Sequence, residues 1–396
     1  MSRILLAWEL GVGLGHLTNI LPFARGLCGQ GHQVFLALKD LSQADRVFAG
    51  LDVAYLQAPI QTRTAAYQIL PPVTFGHILH NIGFGDPREL RTRVEAWRHV
   101  YQYVKPDLIV FDHSPTALLA ATGVGAKRVL VGTGFFWPPD ESPLRSLRPW
   151  MQCDVDRLAA DEDRVLQNVN QVLAFWRQPK LERLSRLYYD IEESFLLTFR
   201  ELDHYGERPS ARYWGSWSYA SGIEPAWPEG KGKHVYAYFK PFPALPSALS
   251  LLRELRTPTL VYMDRVDAGM RKRFESASLR FEAQPLDIAS VARQCDVAII
   301  NGNHGTAVSF LLAGKPALHI PIHLEQAMFS ARVANLGAGL IAPARSPERI
   351  AIQLMKLLNS NQYTSAAAQV AARYAGFDPQ RQIAGMMARI EQLLQS

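Results

Sequence analysis

One stretch limits the possible folds of this chain more than any other. Residues 297–339 read VAIINGNHGTAVSFLLAGKPALHIPIHLEQAMFSARVANLGAG. A short apolar run stops at a polar, glycine-bearing turn, Asn301-Gly302-Asn303-His304-Gly305-Thr306. A helical pattern follows, with Thr306 placed to cap its start, and it closes at Gly314 before Lys315-Pro316. A second apolar run reaches Pro321, and His323-Leu324-Glu325-Gln326 opens another helix. Strand, glycine turn and helix N-terminus together hold phosphate, because free backbone N–H groups and the helix dipole face the same anion. Taken alone, the turn is equally an ordinary strand–helix–strand unit.

The rest of the chain repeats the alternation. Apolar runs at 3–8, 33–38, 108–111 and 128–131 read as strands, with helical patterns at 17–29, 89–104 and 115–122. Residues 140–195 read as mainly helical. A Pro/Gly-rich run, 223–233, reads as a linker. A second set follows it, with strands at 234–239 and 259–263 and helices at 247–255 and 288–294. Such alternation predicts an α/β protein with parallel, doubly wound sheets, and 396 residues suit two domains.

In order and spacing, residues 302–339 resemble the donor-binding signature of the family-1 type, UDP-dependent glycosyltransferases of the GT-B fold. The matching positions are Gly302, Gly305, Thr306, Gly314, Pro316, Pro321, Glu325, Gln326, Gly337 and Gly339. Three positions depart from the pattern: Asn301 stands where the family has His, Asn303 where it has Gly, and Ser309 where an acidic residue is common. The resemblance implies two Rossmann-like domains facing a cleft. An acceptor domain would span 1–222 and a nucleotide-sugar domain 234–375, with a C-terminal helix, 376–396, crossing back to the first. It also implies donor contacts from Asn301, Gly302, His304, Gly305, Thr306, Glu325 and Gln326. Lys240, just after the second domain's first strand, is a further phosphate candidate.

A second motif lies at the front, Glu9-Leu10-Gly11-Val12-Gly13-Leu14-Gly15-His16. A dinucleotide fingerprint would need Gly-x-Gly-x-x-Gly, but its third glycine position holds His16. Gly15-His16 and Gly31-His32 instead reproduce the spacing of two Gly-His pairs in the glycosyltransferases. The resemblance implies that His16 is the general base for the acceptor hydroxyl; imidazole suits this work because it titrates near neutrality. It also implies an orienting carboxylate at the end of the strand in Lys105-Pro106-Asp107-Leu108-Ile109-Val110-Phe111-Asp112, which is Asp112. From the residues alone, the lesser reading of Asp112 is an N-cap of the next helix, a job Ser114 could do instead, and His113 ranks behind His16.

Aromatic residues in loops, Phe84, Phe135, Phe136 and Trp137, are the candidate acceptor wall. The acceptor class stays open among aglycone, lipid and saccharide. Asp154-Val155-Asp156 has the form of a metal-binding pair but falls in a helical surface pattern, so metal independence is expected. No cofactor is expected beyond a UDP- or dTDP-sugar co-substrate, and inversion by single displacement is what the resemblance implies. A nucleotide-sugar epimerase and a non-catalytic relative of the same shape are the alternatives.

Charge is uneven. Residues 1–230 carry 23 Lys and Arg against 25 Asp and Glu; residues 231–396 carry 19 against 11. The basic half suits a nucleoside diphosphate and is compatible with an acidic membrane surface. Its cluster Arg265, Arg271, Lys272, Arg273 and Arg280 reads equally as solvated surface. No basic stripe with interleaved aromatics points to nucleic acid. Three scattered cysteines without a CxxC, no signal-peptide pattern and no apolar run of membrane-spanning length predict a cytoplasmic protein; nothing in the sequence decides between monomer and homodimer.

Overall fold

The computed structural model describes residues 1–217, 222–263 and 268–396. It divides into two compact units. The first comprises Met1–Arg200, Glu207–Gly215 and Pro379–Ser396; the second comprises Glu201–Gly206 and Ser216–Asp378. Residues 223–233 are part of the second unit rather than a free tether: Ile223 donates its N–H to Pro285 and accepts from Asp287 N–H. Arg265 lies outside the described residues.

The first unit runs β1 (Arg3–Trp8), α1 (Leu14–Gly29), β2 (Gln33–Leu38), α2 (Ala44–Val47), β3 (Val53–Gln57), α3 (Phe75–Leu79), a π-helical turn (His80–Phe84), α4 (Pro87–Val104), β4 (Leu108–Asp112), α5 (Pro115–Ala120), β5 (Lys127–Gly132), α6 (Val155–Phe175) and β6 (Glu193–Leu196). Its strands form one parallel sheet in the order β3-β2-β1-β4-β5-β6. β1 and β4 are apolar on both faces and buried throughout their inner residues, as central parallel strands must be.

The second unit runs β7 (Val235–Phe239), α7 (Leu245–Leu255), β8 (Thr259–Met263), α8 (Ala268–Phe274), β9 (Leu279–Glu282), α9 (Ile288–Gln294), β10 (Val297–Ile300), α10 (His304–Leu312), β11 (Ala317–His319), α11 (Leu324–Asn335), β12 (Gly339–Ile341), α12 (Pro347–Asn359) and α13 (Gln362–Arg373). Its parallel order is β12-β11-β10-β7-β8-β9, the same winding as the first sheet. The last helix, α14 (Pro379–Gln395), belongs to the first unit and packs on α1. There a β-carbon on Gly26 would lie 2.6 Å from Sδ of Met387, and His32 Nε2 is 2.6 Å from Glu391 Oε1.

Several local expectations need correction. α1 begins at Leu14, three residues earlier than the periodicity suggests. The long helix of the 140–195 region is confined to Val155–Phe175, and β6 closes the segment. α10 begins at His304 with Asn303 as its N-cap, so Thr306 lies in the first turn and is not the cap. The four strands missed by pattern, β3, β6, β9 and β12, are the four edges of the two sheets.

Trp97 on α4 has no solvent exposure and anchors the first core. Trp97→Ala should cost about 3–5 kcal/mol in urea unfolding; a loss under about 1 kcal/mol would mean that α4 is not packed this way.

Candidate active site

In a doubly wound sheet, ligands bind beyond the strand ends where the winding order reverses. In the first unit that point lies between β1 and β4, whose final residues, Trp8 and Asp112, are partners in register. His16 sits in the first turn of α1, directly after β1. Its Nδ1 is 2.7 Å from Oδ2 of Asp112, which has no solvent exposure. A carboxylate only accepts, so Nδ1 carries a proton toward it, and in the neutral imidazole Nε2 keeps a lone pair. The indole of Trp8 stacks against the imidazole at 5.2 Å, and the Phe136 ring is 5.4 Å away.

The loop between β1 and α1 takes this shape because of its glycines. Gly11 (φ 87°) and Gly13 (φ 90°) occupy the left-handed region that L side chains rarely adopt. A β-carbon on Gly11 would also collide with Nε2 of His16. Lys39, at the end of β2, donates from Nζ to the Gly11 carbonyl at 2.8 Å. On the other side, Leu10 N–H donates to the carbonyl of His113 at 3.0 Å. His113 is itself at φ 44° and stacks on Phe136 at 3.5 Å. Burial, and then the charges of His16 and Lys39, hold His113 well below the ordinary imidazole range.

Asp112 does not cap α5. The N-cap position is Ser114, and its hydroxyl is spent on the carbonyls of Ala7 and Asp112. The start of α5 is held instead by Glu9, whose Oε2 accepts from Thr116 N–H at 3.0 Å and Ala117 N–H at 3.2 Å. Sequence reasoning missed Glu9. The available signal was an acidic residue directly after an apolar strand and before a glycine loop. Burial raises its carboxyl to about 7, against the opposing pull of Thr116, Arg93 and Ala117.

The aromatic set separates. Phe84 has no exposed surface and is core, which removes it from an acceptor wall. Trp137 is core as well: the Arg208 guanidinium lies over its ring at 5.4 Å, and Arg208 Nη1 donates to its carbonyl at 2.6 Å. Phe135 is buried edge-on to Phe75. Phe136 alone is half-buried beside His16. Val12 on the adjoining glycine loop and Leu14 at the start of α1 are exposed, Val12 at 77%. Asp154 caps α6, accepting from Asp156 and Arg157 N–H, which accounts for the Asp-x-Asp pattern.

In the second unit the turn after β10 lies at the matching reversal, between β10 and β7. Asn301, expected to touch a donor, is buried and occupied: Nδ2 donates to the Ile320 carbonyl at 2.9 Å, and Oδ1 accepts from Lys240 N–H at 2.7 Å. It fastens the loops leaving β7 and β11. Gln326 is likewise engaged, with Nε2 donating to Asn303 Oδ1 at 2.6 Å and Oε1 accepting from Ile322 N–H at 3.0 Å. It braces the turn and is buried away from solvent, which corrects the expected sugar contact. Because Asn303 Oδ1 is taken, Asn303 makes no side-chain cap on α10. The first-turn N–H groups, at Gly305 and Thr306 among others, lack that internal acceptor.

Gly302 (φ 85°) is needed twice over, since a β-carbon there would press on Ser330 Oγ, the Gln326 carbonyl and His319 Nδ1. His319, missed in the sequence, also lies near Gly339, where a β-carbon would first collide with the Ala317 carbonyl at 2.5 Å. His304 packs on Phe329 at 4.7 Å with Nδ1 3.3 Å from Ser216 Oγ. Burial, followed by the nearby His204, lowers His304 to about 3, so the ring is neutral. Glu325 and Thr306 are half-buried in the first turns of α11 and α10. Among the described residues, no group of three or more His, Cys, Asp or Glu has metal-holding geometry. No helix among them is long and apolar enough to cross a membrane.

No family model matches the chain, and no curated protein matches it in sequence. Solved structures do. The glycotransferase of kitacinnamycin superposes with a TM-score of 0.70 at 16% identity over 99% of both chains. The glycosyltransferase VinC, solved with dTDP, gives 0.68 at 16% identity over 98% of this chain and 99% of its own. The spinosyn rhamnosyltransferase SpnG gives 0.66 at 17% identity over the whole of both chains, and it has also been solved with spinosyn aglycone. At such identities the likeness is one of fold, and the fold is that of the GT-B glycosyltransferases.

Gly11→Ala should cost about 1–2 kcal/mol on unfolding and abolish the low-field NMR signal of the His16–Asp112 proton; an unchanged signal would refute this geometry. Glu9 binds its proton more tightly folded than unfolded. Its contribution is complete below pH 4.5 and declines as pH rises through about 7. Glu9→Gln keeps an acceptor oxygen without the charge, so at pH 8 it should stabilise by about 3 kcal/mol, with little change at pH 4. Denaturant titrations at the two pH values check this, and equal differences at both would contradict it.

Proposed function

We propose that the protein is an inverting, metal-independent glycosyltransferase that moves a sugar from a nucleoside diphosphate donor to an acceptor hydroxyl. The observation that carries this reading is the His16–Asp112 pair at the winding reversal of the first sheet. The acceptor oxygen attacks the anomeric carbon while its proton passes to Nε2 of His16. Asp112 holds the proton-bearing Nδ1 and stabilises the imidazolium that forms. The bond from the anomeric carbon to the diphosphate breaks in the same displacement, so configuration inverts and a nucleoside diphosphate leaves.

The uncapped start of α10 supplies N–H groups and dipole for the departing charge. Gly305 and Thr306 are the phosphate contacts in this scheme, Glu325 meets sugar hydroxyls, and Asn301 and Gln326 brace the turn. VinC was solved with dTDP, which favours a dTDP-sugar over a UDP-sugar here. Phe136 and Trp8 set apolar rings against His16, and Val12 and Leu14 are exposed apolar residues on the segment just before it in the chain. These apolar surroundings fit a hydroxyl on an aglycone better than one on a saccharide, which would require several polar partners.

Calorimetry against dTDP, UDP, GDP and NAD should show selective binding of dTDP or UDP, weakened for dTDP-sugar by Glu325→Ala. In transfer assays with a dTDP-sugar and aglycone panel, His16→Ala should lower kcat by about 10²–10⁴ while dTDP affinity stays within about twofold. Binding of NAD alone, retained activity in His16→Ala, or a product with retained anomeric configuration would each sink the proposal.

A further inference from the structure

We infer that Glu9 is a positioning residue for the His16–Asp112 pair: it carries the start of α5 on its carboxylate and so fixes the backbone from which Asp112 reaches the imidazole. The chain from Trp8 to Gly11 holds His16, and the backbone that follows Asp112, at four successive points. The Trp8 ring lies against the imidazole, Glu9 holds Thr116 and Ala117 N–H, Leu10 N–H holds the His113 carbonyl, and Gly11 faces Nε2.

Glu9 is the member that needs explaining. It is fully buried, and its Oε1 has no hydrogen-bond partner. Arg93 and Tyr101, both on α4, are the ionisable groups that face it. Arg93 directs Nη1 to the Ile82 carbonyl at 2.8 Å, and Tyr101 donates its hydroxyl to the Ala117 carbonyl at 2.6 Å. Ala117 is therefore held from both sides, by N–H on Glu9 and by carbonyl on Tyr101. α5 itself, Pro-Thr-Ala-Leu-Leu-Ala, has almost no polar means of fixing its own start. Ser114 is already spent. If Glu9 lets go, α5 loses the two bonds that hold its first N–H groups, and the 2.7 Å bond to His16 loses that part of its frame.

This consequence for turnover rests on the transfer reading, but the geometry does not, and the test separates them. Glu9→Gln, Glu9→Asp and Glu9→Leu are made in the full chain. The low-field proton of His16 Nδ1 is followed by NMR, assigned by its absence in His16→Ala, alongside kcat and KM for the dTDP-sugar. Glu9→Gln keeps an acceptor of the same reach and should keep the signal, with kcat within about threefold of wild type. Glu9→Asp, one methylene shorter, and Glu9→Leu should shift or lose the signal. Both should lower kcat by at least about tenfold with donor KM within about twofold. A folded Glu9→Asp or Glu9→Leu protein with the wild-type signal overturns the inference. Should the leucine variant not fold, the aspartate variant decides. Wild-type protein without transfer activity, but with a signal that moves as described, would defeat the transferase reading and leave the role of Glu9 standing.

Discussion

Where a parallel sheet reverses its winding, two neighbouring strands send their chains to opposite faces, and no crossover helix covers the gap between their ends. This constraint operates twice here, at β1 and β4 and again at β10 and β7. Each gap leaves backbone that must turn sharply and satisfy its polar groups without a regular partner. The unusual residues of the protein collect there. Glycines in the left-handed region make the turns, while Lys39, Asn301 and Gln326 spend side-chain hydrogen bonds on loop backbone or on a neighbouring loop side chain, and Glu9 spends its own on the first turn of α5. The His16–Asp112 contact lies beside the first loop, which is held at several points.

The centre of each sheet was legible in the sequence because central parallel strands are continuous apolar runs. Edge strands are not. β3 is largely exposed, and β9 alternates buried with half-buried residues. β6 and β12 are only four and three residues long. Their strand character comes from pairing with a neighbour, which no local pattern records. The His16–Asp112 contact was legible through family likeness combined with strand position. Glu9 was not, since a lone acid after a strand carries no periodic signal, and its two N–H partners lie more than a hundred residues away in the chain.

The signature around residue 301 shows how one pattern can hide two kinds of residue. Asn301 and Gln326 sit at signature positions yet spend their amides on the protein itself. Gly302 and Gly339 stand far apart in the chain but share His319 as a neighbour. A pattern records where residue identity is constrained; it does not record whether a ligand, a neighbouring loop or a close backbone contact imposes the constraint. The same distinction divides the aromatic loop, where Phe136 flanks the imidazole while Phe135 and Trp137, its immediate neighbours, are buried.

The membership of α14 in the first unit also sets an order of assembly. Every residue of the second unit is synthesised before α14 exists. The face of α1 around Gly26 therefore waits, uncovered, through the making of the whole second sheet until Met387 arrives to cover it. On the ribosome, the unit begun first is finished last, and the second unit can close its core while the first still lacks its final helix.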